Sequence, residues 1–129
     1  MRADEKREWL DGITRKIIGS AQRVSTVMGN GFLEKVYANA LLIELKRAGL
    51  DVRCEVALKV KYENKVVGVY VADMIVEDEV LVELKAVMAL DRIHQAQCLN
   101  YLKATGLTVC LLINFGRPKI EIKRVVNGF

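Results

Sequence analysis

Apolar residues recur every three or four positions from about Asp4 to Met28, at Trp9, Ile13, Ile17, Ala21, Val24 and Met28. That spacing predicts an amphipathic helix. Gly29-Asn30-Gly31 ends it with residues that tolerate positive φ. A second helix is predicted from about Phe32 to Ala48, with Leu33, Val36, Ala40, Leu41, Ile43 and Leu45 apolar and Gly49 as the stop. Beyond Gly49 the period falls to two. Val56, Leu58, Val60 and Tyr62 alternate with Glu55, Lys59 and Lys61 in a strand from Val52 to Tyr62, and after the Glu63-Asn64 turn Lys65 to Tyr70 leads into a hairpin. Its arms are Val71 to Val76 and Val80 to Lys85, around Glu77-Asp78-Glu79. A third helix follows from Asp91 to about Thr105, stopped by Gly106. Thr108 to Asn114 is nearly all apolar, as in a strand buried on both faces, and Lys119 to Val126 alternates as a last strand. The order is ααββββαββ, or ααβββαββ if the first strands merge, which implies an α/β fold with a mixed central sheet flanked by helices.

The hairpin concentrates charge. A turn centred on Asp78 sets Asp73 opposite Glu83, with Cβ atoms about 5 Å apart, and Glu83 shares a face with Lys85. At an effective dielectric near 20 the two carboxylates repel by roughly 3 kcal/mol. A hard divalent cation held by carboxylate oxygens would neutralise them, with Lys85 holding a water or an anionic substrate. The alternative is a solvated sheet face on which Lys85 is a cross-strand ion-pair partner. On the third helix His94, Gln97 and Tyr101 form one stripe. Gln97 is the better chemical candidate there, since a neutral amide orients a water or ligand without adding charge, whereas a lone histidine is more often structural. Glu34 and Tyr37 lie three apart at the start of the second helix; a first-turn glutamate also complements the helix dipole, and the tyrosine also suits a core.

The 129 residues suffice for one domain. With 52% hydrophobic and 28% charged residues, disorder is excluded. The net charge of +4 is mild, compatible with a polyanionic partner. Cys54, Cys98 and Cys110 are widely spaced, which indicates neither a disulfide framework nor zinc and suits a reducing cytoplasm. No apolar run is long enough for a bilayer, and the start MRADEKRE is no signal peptide, so a soluble, unsecreted protein without a membrane partner is expected.

Asp73, then Glu83-Leu84-Lys85 after a short hairpin, with Glu34 upstream and Gln97 and Tyr101 downstream, resemble the PD-(D/E)XK nuclease superfamily. More narrowly, Gly31-x-x-Glu34-x-x-Tyr37 with VELKAV and LLINFG resembles the small prokaryotic GxxExxY family. The resemblance runs from about Ile13 to Val126 within a single domain of 1–129. It implies a restriction-endonuclease-like core with two N-terminal helices and one after the catalytic hairpin. Asp73, Glu83 and the backbone carbonyl of Leu84 would hold Mg²⁺ (or Mn²⁺), and Glu34 would complete or orient that shell. Lys85 would position the attacking water or stabilise developing charge, and Gln97 and Tyr101 match a QxxxY element beside the site. The superfamily's proline before the acid is absent, since Val71-Ala72 precedes Asp73.

The expected function is metal-dependent phosphodiester hydrolysis in nucleic acid, DNA ahead of RNA. Arg15, Lys16, Arg23, Arg117, Lys119, Lys123 and Arg124 are candidates for phosphate contact, and such contacts carry no base specificity. The competing readings are a non-catalytic module for nucleic acid or a protein partner that keeps the nuclease fold, and an interaction domain in which the charges form a plain surface network. A homodimer is left open.

Overall fold

A computed structural model describes residues 1–128. Helix α1 spans Ala3–Met28 and α2 Glu34–Arg47, followed by β1 (Val52–Tyr62), β2 (Lys65–Val76), β3 (Val80–Lys85), α3 (Arg92–Thr105), β4 (Val109–Asn114) and β5 (Glu121–Val126). The first two expected strands of the hairpin region merge into β2, so the order is ααβββαββ. The last strand starts at Glu121 rather than Lys119, because Arg117, Pro118 and Lys119 form the β4–β5 loop.

The five strands lie in chain order in one sheet. All neighbours are antiparallel except β3 and β4, which pair in parallel from Val80↔Val109 to Lys85↔Asn114. A parallel pair needs a crossover, and α3 supplies it. Asp91 caps α3 by accepting from Ile93 N (2.8 Å) and His94 N (3.4 Å), and Gly106 ends it at φ 76°.

Helices α1 and α2 cover one face of the sheet, packing Leu10, Ile17, Val24, Leu41 and Leu45 on Met74, Val82, Leu84, Leu111 and Ile113. On the other face α3 packs Cys98, Tyr101 and Leu102 on Ile75, Leu81, Cys110 and Leu112. Every residue of β4 is buried, as a nearly all-apolar strand between two helical layers must be. The buried stripe of α1 starts at Leu10, not Trp9: Trp9 is 39% exposed and has the Lys6 ammonium 5.5 Å from its ring. Leu33, Val36 and Ile43 of the second helical segment are likewise exposed, because the buried stripe of α2 runs through Tyr37, Leu41 and Leu45.

The β1–β2 ladder changes sides partway along. Val52 and Met74 pack on the α1/α2 face, whereas Val56, Leu58 and Ala72, at even spacings from them, pack on the α3 face. Register is unchanged from Cys54↔Met74 to Val56↔Ala72. Strict alternation would keep all of these on one face. The reversal falls at the level of Glu55, whose φ is 52°, a left-handed backbone that costs a residue with a Cβ about 1 kcal/mol or more. Asp73 lies in β2 at that level.

Candidate active site

The β2–β3 ladder consists of Val76↔Val80, Ile75↔Leu81 and Met74↔Val82, symmetric about Asp78. It ends there because β3 runs on beside β4 while β2 continues with β1. One step beyond, two carboxylates occupy the bonds the ladder drops. The Asp73 amide donates to Glu83 Oε1 at 3.0 Å, and the Leu84 amide donates to Asp73 Oδ2 at 2.7 Å. Each acid is therefore fixed by the other's strand, which is the facing pair that the hairpin symmetry predicts.

Glu83 is only 4% exposed. Burial, and next the Asp73 charge, push its carboxyl up to about 9. Two acids are thus held together where one must keep its proton unless a cation arrives. Their oxygens suit a hard divalent ion. Lys85, half-buried two residues on, pairs with no carboxylate among the described residues.

A pocket of about 370 Å³ opens beside the pair, lined among others by Glu34, Lys35, Cys54, Glu55, Asp73 and Leu84. Glu34 thus reaches the same concavity as Asp73. Among the described residues, however, no three His, Cys, Asp or Glu side chains converge on one metal position, so Glu34 stands apart from the two-carboxylate pair. Tyr37 explains where Glu34 is placed. Its hydroxyl donates to Gly29 O (2.6 Å) and accepts from Phe32 N (3.2 Å), tying down the turn before α2, while its ring stacks on Phe115 at 4.6 Å.

On the α3 side Gln97 Nε2 donates to Tyr101 Oη at 3.0 Å. Burial, then the Glu83 charge, raise the Tyr101 phenol. His94 is engaged elsewhere: its Nδ1 accepts from Asp91 N at 3.2 Å and closes the capping box of α3. Gln97→Ala is therefore expected to impair activity more than His94→Ala, whose main effect is a loss of about 1 kcal/mol of helix-cap stability. Parallel rate and melting measurements on the two variants check this, and the reverse ranking of rates would make the histidine the chemical group.

Asn114 escaped sequence reasoning because it closes an apolar run. Fully buried, it faces Lys85 in the β3–β4 register. Its Oδ1 accepts from Val87 N (3.0 Å) and Gly116 N (2.9 Å), and its Nδ2 donates to Val87 O and Glu121 Oε1 (both 2.9 Å). Phe115 N donates to Lys85 O at 2.8 Å. A Cβ on Gly116 would meet Val87 O at 2.2 Å. The asparagine and glycine of LLINFG thus hold the chain that leaves Lys85. Cys98 and Cys110, distant in sequence, are buried free thiols, and a hydrogen bond between them lowers Cys98 and raises Cys110.

The expected phosphate-contact residues lie away from this pocket. Arg15 and Lys16 are exposed on α1, Arg23 is 3.5 Å from Glu44, Arg117 and Lys119 are in the β4–β5 loop, and Lys123 and Arg124 are on β5, where Arg124 bonds Asp11 at 3.0 Å.

A family model described as PD-(D/E)XK nuclease superfamily matches residues 11–125. No curated protein matches the chain. Among solved structures, the crystal structure of SSO0001 superposes with a TM-score of 0.55 at 18% identity over 74% of this chain and 50% of that one. An alkaline exonuclease from Laribacter hongkongensis, LHK-Exo, does so with a TM-score of 0.51 at 13% identity over 83% of this chain and 76% of that one. The chain spans about half the length of SSO0001. At these identities the likeness is one of fold.

Proposed function

Because the chain belongs to the PD-(D/E)XK nuclease superfamily and has its restriction-endonuclease-like fold, we propose that it hydrolyses phosphodiester bonds in nucleic acid, DNA ahead of RNA, with Mg²⁺ or Mn²⁺ held at Asp73 and Glu83. Members of the superfamily generally use divalent metals. The observation that supports this reading most is the interlocked pair of acids, each accepting from the other's strand, with Glu83 buried. We assign the chain within the superfamily to the GxxExxY group on the residues of its motifs, and take it as a single domain in the cytoplasm on its length and its widely spaced cysteines. Among the described residues no helix is long and apolar enough to cross a membrane.

Asp73 and Glu83 would bind the ion through carboxylate oxygens, together with the Leu84 carbonyl, and Glu34 would orient that shell from across the pocket. The ion would supply Lewis acidity toward the scissile phosphate and would lower the pKa of a bound water. Lys85 supplies positive charge where the attacked phosphate gains negative charge, or holds the water that attacks it. The Asn114 and Phe115 bonds fix the backbone after Lys85, so the ammonium is presented from a rigid strand end. Tyr101, held by Gln97, would flank the acids on the α3 side.

Labelled single-stranded, duplex and branched oligonucleotides incubated with the protein in Mg²⁺ and in Mn²⁺ test the reading. Cleavage of at least one is expected, and intact substrates under all conditions would overturn it.

A further inference from the structure

The β1–β2 hairpin runs past the sheet as an arm, and α3 lies alongside it. Between them is a groove of about 630 Å³ lined by Lys59, Val60, Lys61, Tyr70, Asn100 and Lys103. No acidic residue lines it. Lys59, Lys61 and Lys103 are exposed and pair with no carboxylate among the described residues, whereas Arg23, Lys35, Arg53 and Arg124 each sit against one. Three unneutralised ammonium groups in one concavity form an electrostatic footprint for a polyanion.

The groove also has an aromatic wall. Tyr70 is 49% exposed, and its ring lies 5.5 Å from that of Tyr101 at a 43° tilt. Tyr101 in turn bonds Gln97 and packs in one buried cluster with Ala72, the neighbour of Asp73, and Leu112, the partner of Glu83 in the β3–β4 register. The basic groove therefore leads, through two tyrosines, to the carboxylate pair. A half-exposed ring among cations suits an unpaired base, which offers a π-face, better than a duplex, whose bases are stacked on one another.

Resting on the nuclease reading above, we propose that this groove is the binding track for a single strand of nucleic acid, its phosphates on Lys59, Lys61 and Lys103 and one base stacked on Tyr70, which delivers the strand to Asp73 and Glu83. The basic residues of α1, β5 and the β4–β5 loop lie outside this track. The pocket around Lys119 contains one cation and no aromatic ring.

Fluorescence anisotropy with a 5′-labelled single-stranded oligonucleotide in Ca²⁺ tests the track independently of turnover, with melting curves to verify that each variant is folded. The Lys59→Ala/Lys61→Ala/Lys103→Ala variant is expected to weaken binding at least about tenfold and to lower the slope of log K against log salt by about 2, since each phosphate contact on a single strand contributes about 0.7. Tyr70→Ala should lose about tenfold, and Tyr70→Phe, which keeps the ring, should bind as the wild type does. Unaltered affinity and slope in the triple variant overturn the track. So does a larger loss from Lys119→Ala/Lys123→Ala, or a loss confined to duplex. Groove variants that lose binding support the track even if the wild type cleaves nothing, an outcome that defeats the nuclease reading alone.

Discussion

Lys85→Ala is expected to cleave nucleic acid at least about a hundredfold more slowly than the wild type, and EDTA is expected to stop the wild type altogether. Removing one preorganised charge-stabilising group typically costs a factor of about 10² to 10³ in rate. The lysine fits that role because it pairs with no carboxylate among the described residues, while Phe115 bonds its carbonyl and Asn114 holds Val87 two residues on. A structural ion-pair role predicts a different result, a modest loss of stability with little change in rate. Single-turnover rates at saturating protein, with melting curves on the same samples, separate the two. Undiminished cleavage by Lys85→Ala, or cleavage that persists in EDTA, would remove the lysine or the metal from the mechanism.

The second large effect concerns the protein without metal. Glu83 in the folded state titrates near 9, far above the ordinary 4.5, through burial and the neighbouring Asp73. Between these values the folded chain keeps a proton that the unfolded chain has released, so stability falls as pH rises from about 4.5 to about 9. Below that window both states are protonated and the penalty is absent; above it the penalty is complete. Glu83→Gln keeps an oxygen to accept from the Asp73 amide and carries no charge. It should flatten that slope and, near pH 8, raise metal-free stability by about 1 to 3 kcal/mol, or about 4 to 10 °C. Asp73→Asn, which retains an acceptor for the Leu84 amide, should also be at least as stable as the wild type without metal. Mn²⁺ should raise the melting temperature of the wild type and of neither variant, since an ion that binds only the folded state stabilises it by mass action. Melts from pH 5 to 9 with EDTA and with Mn²⁺ check this; destabilised variants together with a wild type indifferent to Mn²⁺ would exclude the metal site.

The hairpin was legible because two β-rich runs flank the acidic turn Glu77-Asp78-Glu79, and symmetry about that turn leads to Asp73 and Glu83. The all-apolar β4 and the capped α3 were legible for similar local reasons. What escaped was tertiary. Nothing marks Glu55 as left-handed, so the reversal of faces at Asp73 and Glu55 could not be read from alternation. Trp9 and Leu10 are adjacent apolar residues, and only the docking angle of α1 decides which is buried. Asn114 looks like the polar end of a strand until its four bonds are seen. Lys59 and Lys61 read as the solvated side of β1, since their common concavity with Lys103 exists only once α3 crosses the sheet.

The arm has a further consequence for how the molecule breathes. From Lys65 to Ala72, β2 has a strand neighbour on one side only, and its partner β1 is the edge of the sheet. A two-stranded ribbon is marginal by itself. Outside Leu58 and Ala72 its residues bury little, whereas β3 and β4 are almost wholly enclosed between the helical layers. Local opening free energy follows that difference: the arm belongs to the part of the chain that opens first and recloses, and Glu83, buried within β3, belongs to the part that opens last. One wall of the groove can therefore part to admit a strand end while Glu83 stays in place.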